Sequence, residues 1–376
     1  EARAAYEESV RLDGQQAETY AGLGDCYYEQ NRVLDAIACY QKAVRLRPDF
    51  AEAHYHCALA RLSQTDYLNG WRDLEWRWKC PEFAGRLDGP PLWNGAAIEG
   101  RRLLVRSEGL PDDTLQFARY VPLLGQQGGE VFFEVPSVLM PLLAESGFEN
   151  LVAAGEPPTA YDLQIPLWSL PRVLGTTWEN VPGGVPYLAV PPERERLWSQ
   201  RLTPLAGFKV GICWQSGPAG DVARSIPLPE FAPLAAISGV QLVSLQDQDT
   251  REQLTQDHSP PKIADLADQF SEPRGALVDI AALIKNLDLV VTCDSAVAHL
   301  AAALGVRVWV VLSAVPQWRW TNSRDASPWY PTLRLFRQPQ PGDWAGAMTR
   351  VSHALLELLT ADSAGRGGMP GQPGGE

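Results

Sequence analysis

The 376-residue sequence is poor in several features that would place it in a well-marked class. It is short of cations: 32 Lys and Arg stand against 45 Asp and Glu, a formal charge of −13. That balance argues against nucleic acid as the main partner, because phosphate backbones are bound by clustered cations. A basic pocket for one small phosphate ligand remains compatible with it. No apolar run reaches the roughly 18 residues of a membrane-spanning helix. The most apolar stretch, 288–312, is interrupted by Asp294, His299 and Arg307. Cys26, Cys39, Cys57, Cys80, Cys213 and Cys293 form no C-x-x-C pair, so neither a zinc ribbon nor a disulfide framework is indicated. No Asn is followed two places later by Ser or Thr, and the G-x-G-x-x-G, Walker and G-x-S-x-G patterns are missing. Dehydrogenase, P-loop NTPase and serine hydrolase readings therefore lack their signatures. The chain opens without Met or a leader, inside an Ala-rich helical pattern, as expected of part of a longer cytoplasmic protein.

What is present suffices for large cores: 45% apolar and 20% charged residues. The length suggests two or three domains. Internal repetition organises residues 1–79. Tyr20, Leu23, Gly24, Tyr27, Ala36, Tyr40, Ala43 and Pro48 follow the order of large and small residues of a helical-hairpin repeat of about 34 residues. One period back, Ala2, Tyr6 and Ser9 occupy second-helix positions, so the chain begins in mid-repeat. One period forward, Ala58, Gly70 and Leu74 give a weaker copy. Residues 80–100 carry three prolines and four glycines and read as a linker. Beyond it, short apolar strands alternate with amphipathic helices in two series, which predicts parallel sheets covered on both faces. The expected lobes are 101–200 and 201–360, with a Gly- and Pro-containing passage near 181–192 and a disordered tail at 361–376. Ligands of such sheets bind at the carboxyl ends of the strands.

Two stretches carry a family resemblance. Glu108-Gly-Leu-Pro-Asp-Asp-Thr-Leu-Gln-Phe-Ala-Arg-Tyr120 resembles the glycine loop of bacterial tetratricopeptide-repeat proteins with a family 9, heptosyltransferase-like glycosyltransferase domain. Cys293-Asp-Ser-Ala-Val-Ala-His-Leu-Ala-Ala-Ala-Leu-Gly305 resembles that family's donor motif. Arg224–Leu228, Ser244–Gln246, Trp318–Trp320 and Ser327–Pro331 match in order and spacing. The resemblance implies a GT-B pair of Rossmann-like domains with parallel sheets, preceded by the helical repeat. The N-terminal domain would take the acceptor and the C-terminal domain the nucleotide sugar, with no other cofactor and no metal. A more distant likeness to O-GlcNAc transferase implies that the repeats dock an acceptor protein, although a glycan acceptor stays open.

The resemblance makes Asp113 the base, but the loop departs from the family pattern. Pro111 is extra and Asp112 stands where a glycine is usual. Asp113 is therefore either a catalytic base or an acid of the first helical turn. Without the family likeness, an apolar strand still runs into Asp294 and a small-residue helix follows, stopped by Gly305. Such a helix start offers free amides and a positive dipole end to an anion. Ser295 and Ala296 are small enough for a diphosphate to approach, and His299 lies one turn along the face of Ser295. The plainer alternative is Asp294 as an N-cap with His299 in the core. Arg224 is either a phosphate contact or a surface cation. Gln246 either reads the base or caps a loop. Trp214, Trp318 and Trp320 either wall a sugar or pack domain against loop. His54, His56 and Cys57 do not suggest a metal, since positions 54 and 56 diverge by about 200° on a helix. Asp247-Gln-Asp249 imitates a metal-binding pair without its context. The expected function is inverting, metal-independent sugar transfer to an acceptor hydroxyl. Its rival is a non-catalytic interaction scaffold, favoured by the altered 109–113 loop.

Overall fold

The computed structural model describes the chain except residues 109, 157, 159, 183, 218–220, 222, 247–252, 257–261, 272–275, 323 and 367–376. The repeat segment is built from α1 (Ala2–Leu12), α2 (Ala17–Glu29), α3 (Val33–Leu46), α4 (Ala51–Ser63) and α5 (Tyr67–Leu74). The small residues of the pattern are where helices cross. A Cβ on Gly24 would sit 2.6 Å from Cε1 of Tyr40, and one on Gly70 would sit 2.6 Å from Cδ2 of Leu62. Ala36, Ala43, Ala53 and Ala58 are completely buried. Asp66 caps α5 by accepting the Asn69 amide.

The repeat is joined rigidly to the first α/β lobe. A 3-10 turn, Glu75–Lys79, carries Arg77 into the interior. The Arg77 guanidinium donates to Oε2 of Glu108 (2.9 Å), Oγ of Ser169 (2.9 Å), the Leu74 carbonyl (3.1 Å) and Oε1 of Glu75 (3.2 Å). Glu108 accepts the Trp168 amide with its other oxygen (2.7 Å).

Two fully parallel sheets make up the remainder of the fold. The first has β1 (Arg102–Arg106), β2 (Glu130–Val135), β3 (Leu151–Ala153) and β4 (Leu163–Pro166), in the order β3-β2-β1-β4. The second has β5 (Phe208–Cys213), β6 (Val240–Ser244), β7 (Ile263–Ala264), β8 (Leu289–Thr292), β9 (Val308–Leu312) and β10 (Leu333–Arg337), in the order β10-β9-β8-β5-β6-β7. Every residue of β4, β8 and β9 is buried, as expected of strands covered on both faces. The α/β class, the two parallel sheets and the preceding helical repeat are those expected.

Several boundaries differ. The helix Pro192–Leu202 packs on the second lobe, where the indole of Trp198 donates to Asp279 (2.9 Å), so the chain changes lobe before residue 200. The helix expected over 115–124 is split into α6 (Pro111–Phe117), a 3-10 turn and a short helix, with Pro122 in the second piece. The last helix, Trp344–Arg366, runs into the segment expected to be a tail. Residues 367–376 lie outside the described part. Among the described residues no helix is long and apolar enough to cross a membrane.

Candidate active site

In each sheet the strand order reverses beside its first strand, between β1 and β4 and between β5 and β8. Such switch points open crevices at the carboxyl ends of the strands, where ligands of open parallel sheets bind. Beyond β1 the chain enters α6, whose first turn is Pro111, Asp112 and Asp113. Beyond β8 it passes Asp294 and enters the helix Ala296–Ala303. The two switch points meet, because α6 packs directly on that helix.

At the meeting place lies a cavity of about 390 Å³. Asp112, Asp113 and Trp168 of the first lobe, Trp318 and Arg319 of the second, and Tyr28, Tyr55 and Leu59 of α2 and α4 contribute to its walls. The repeat is thus one wall of the site. Arg319 is buried and reaches across the lobes, donating to Oδ2 of Asp112 (3.2 Å) and Oδ1 of Asp113 (2.6 Å). Oδ2 of Asp113 accepts the Leu110 amide (3.2 Å). Behind this group the lobes are tied again: Arg119 donates to the Trp329 carbonyl (2.6 Å) and to Tyr187 (3.1 Å).

The electrostatics arise from one buried cation among several acids. Burial pushes the Asp113 carboxyl up to about 6; Arg319 pulls it down and Asp112 pushes it further up. Burial works against the charge of Arg319, but Asp113, Asp112 and Asp294 outweigh it and hold the guanidinium protonated. Asp294 is also raised by burial, with Arg319 and then Trp320 and Arg224 favouring its ionised form.

The expected site residues divide between the two sides. Asp113 and Trp318 line the cavity. Asp113 is at the same time an acid of the first helical turn. Ser295, not Asp294, is the N-cap residue of the helix Ala296–Ala303, and its hydroxyl turns to Thr292 Oγ1 (3.0 Å). Ala296 is exposed at the helix start. Gly305 stops the helix as expected, with φ +76. Arg224 pairs with Asp221 (2.7 Å).

Three expectations are corrected by the geometry. His299 does not reach the helix start: it is completely buried, bonds through Nδ1 to the Tyr330 hydroxyl (2.9 Å) and stacks on Trp320 at 4.9 Å. Burial, followed by Arg319 and Arg119, holds its imidazole well below the usual range, so it is neutral. Gln246 caps a loop: its side-chain carbonyl accepts the amides of Trp214 (3.1 Å) and Gln215 (3.0 Å). Trp214 and Trp320 are packed inside, Trp214 donating to Gln253 (2.7 Å). The Asp247–Asp249 pair lies outside the described residues. Arg319, Tyr28, Tyr55 and Leu59 had not been assigned to the site from sequence. Adjacent acids opening an apolar helix imply a buried cation, and an Arg between two tryptophans was the available signal for it.

Residues 24–64 match the TPR repeat. Residues 244–327 match glycosyltransferase family 9 (heptosyltransferase). The family 9 match takes in Gln246, Asp294, Ser295, Ala296, His299 and the Trp318–Trp320 turn. The chain is 26% identical to Protein FlbA of Caulobacter vibrioides over 390 residues, covering 87% of this chain and 65% of that protein. The chain therefore spans less than two thirds of this relative's length. Among solved structures it is similar to the family 9 glycosyl transferase of Veillonella parvula (11% identity, TM-score 0.48, 65% of this chain and 88% of that one). It is also similar to the ADP-heptose lps heptosyltransferase II of E. coli (16%, TM-score 0.48, 70% and 99%). A weaker likeness is to the O-GlcNAc transferase of Thermobaculum terrenum (12%, TM-score 0.31, 96% and 89%).

Proposed function

We propose that the chain transfers a sugar from a nucleotide sugar to an acceptor hydroxyl, with inversion and without a bound metal. The observation that carries this reading is Asp113, an acid at the wall of a cavity shared by both lobes and the repeat. The acceptor enters this cavity. Its oxygen bonds to the anomeric carbon as the bond from that carbon to the diphosphate breaks, and its proton passes to Asp113. A single displacement inverts the centre. The diphosphate leaves toward the second switch point. There the amides that open the helix Ala296–Ala303 and the cation of Arg224 offset its charge. Tyr28, Tyr55 and Leu59 select the acceptor, so the repeats present a partner protein, or a glycan, to the base.

A second reading, a non-catalytic interaction scaffold, is favoured by one observation. α6 closes on the donor-side helix and the Asp113 carboxylate is engaged by Arg319. Thermal shift of the full chain with a panel of nucleoside diphosphates and nucleotide sugars separates the two. A ligand that binds the native state raises its apparent stability. Sugar transfer requires at least one such ligand whose effect is lost in Arg224→Ala; no shift with any of them supports the scaffold.

A further inference from the structure

Arg319 belongs to the second lobe and lies 206 residues from Asp113, yet it makes the shortest polar contact of that carboxylate. Its own position is tightly fixed. The next residue but one, Thr321, has φ +54, a region that favours glycine. The turn is clamped by Arg337, which donates to the carbonyls of Trp320 (2.9 Å) and Thr321 (2.9 Å). A backbone in so sparsely populated a conformation persists only where the surrounding structure over-determines it. Around Asp113 the first lobe supplies Asp112 and the Leu110 amide, and the repeat supplies Tyr55. The second lobe supplies Arg319, with Asp294 and His299 behind it. Arg319 is the cation among these groups.

We propose that Arg319 is a positioning residue for Asp113, reaching the carboxylate of the first lobe from the second. The guanidinium of the second lobe turns the carboxylate of the first lobe toward the cavity and holds it ionised. Asp112, which replaces the usual glycine of the loop, is accommodated because the same fork neutralises it. This inference rests on the sugar-transfer reading for its consequence but not for its test.

The test is the titration of the Asp113 carboxyl by carbon-detected NMR on the full chain, assigned by comparison with Asp113→Asn. Opposite charges at this distance shift a carboxyl by about 1–3 pH units. In Arg319→Gln the titration should move up by about one unit or more, and Arg319→Lys should restore most of the shift. Asp112→Asn should move it the other way, downward, and serves as the second variant should Arg319→Gln not fold. A titration unchanged in Arg319→Gln, or moved upward in Asp112→Asn, overturns the proposal. If the titration moves as stated while Asp113→Asn still turns over nucleotide sugars like the wild type, the base assignment fails. The electrostatic role of Arg319 then stands.

Discussion

The joint between repeat and first lobe gives the most quantitative prediction. Arg77 is completely buried, makes four hydrogen bonds and neutralises Glu108, itself raised by burial with Arg77 opposing. Arg77→Met keeps much of the side-chain volume but strands a buried carboxylate. Breaking one partner of such a pair costs about 3–5 kcal/mol. In a chain of this length that lowers the melting midpoint by several degrees, read by calorimetry on the full chain. Adding Glu108→Gln removes the stranded charge while its side-chain carbonyl still accepts the Trp168 amide. The double variant should therefore recover at least about 1 kcal/mol relative to the sum of the single changes. The loss in Arg77→Met should also shrink on acidification, because a protonated Glu108 no longer needs a partner. A loss below about 1 kcal/mol, strict additivity, or no pH dependence refutes the claim that this pair holds the cavity wall in place.

The site itself yields three more expected outcomes. Since Asp113 titrates at about 6 and must be ionised to take a proton, turnover should rise with pH through that value on its acid limb. The stability contributed by this group should run the other way. Its folded value lies above the ordinary 3.8, so its contribution is complete below pH 3.8 and is lost as pH rises through about 6; both are read from pH series of rate and melting midpoint. Gly24→Val should destabilise the repeat by about 1–3 kcal/mol, because its branches would press on the Tyr40 ring, seen as a lower first transition in calorimetry. Gln246→Ala should cost about 1–3 kcal/mol by leaving the buried Trp214 amide and the half-buried Gln215 amide without their acceptor. Calorimetric titration should show nucleotide affinity reduced in proportion to that loss of order, with no change in preference between bases.

Much of the fold was legible because its signals are local. Gly24 and Ala36 are small where helices touch, runs such as 308–312 are apolar throughout because they lie between two layers, and Gly305 stops its helix where expected. The short strands at 151–153 and 263–264 carry too few residues for a period to show. On the site, sequence reached Asp113 and the Asp294–His299 stretch but not their partners. Arg319 meets Asp113, and Tyr28, Tyr55 and Leu59 join them around one cavity, only through tertiary packing across long separations. His299 was misplaced for the same reason. The helix face it shares with Ser295 is covered by Trp320 and Tyr330, which pattern alone does not bring there.

The central claim is that the acid at the three-sided cavity removes the acceptor proton. It is tested most directly by turnover of the nucleotide sugar identified in the thermal-shift panel, with wild type beside Asp113→Asn. The account predicts a loss of at least about a hundredfold in kcat with donor affinity unchanged. Equal turnover in the two proteins contradicts it.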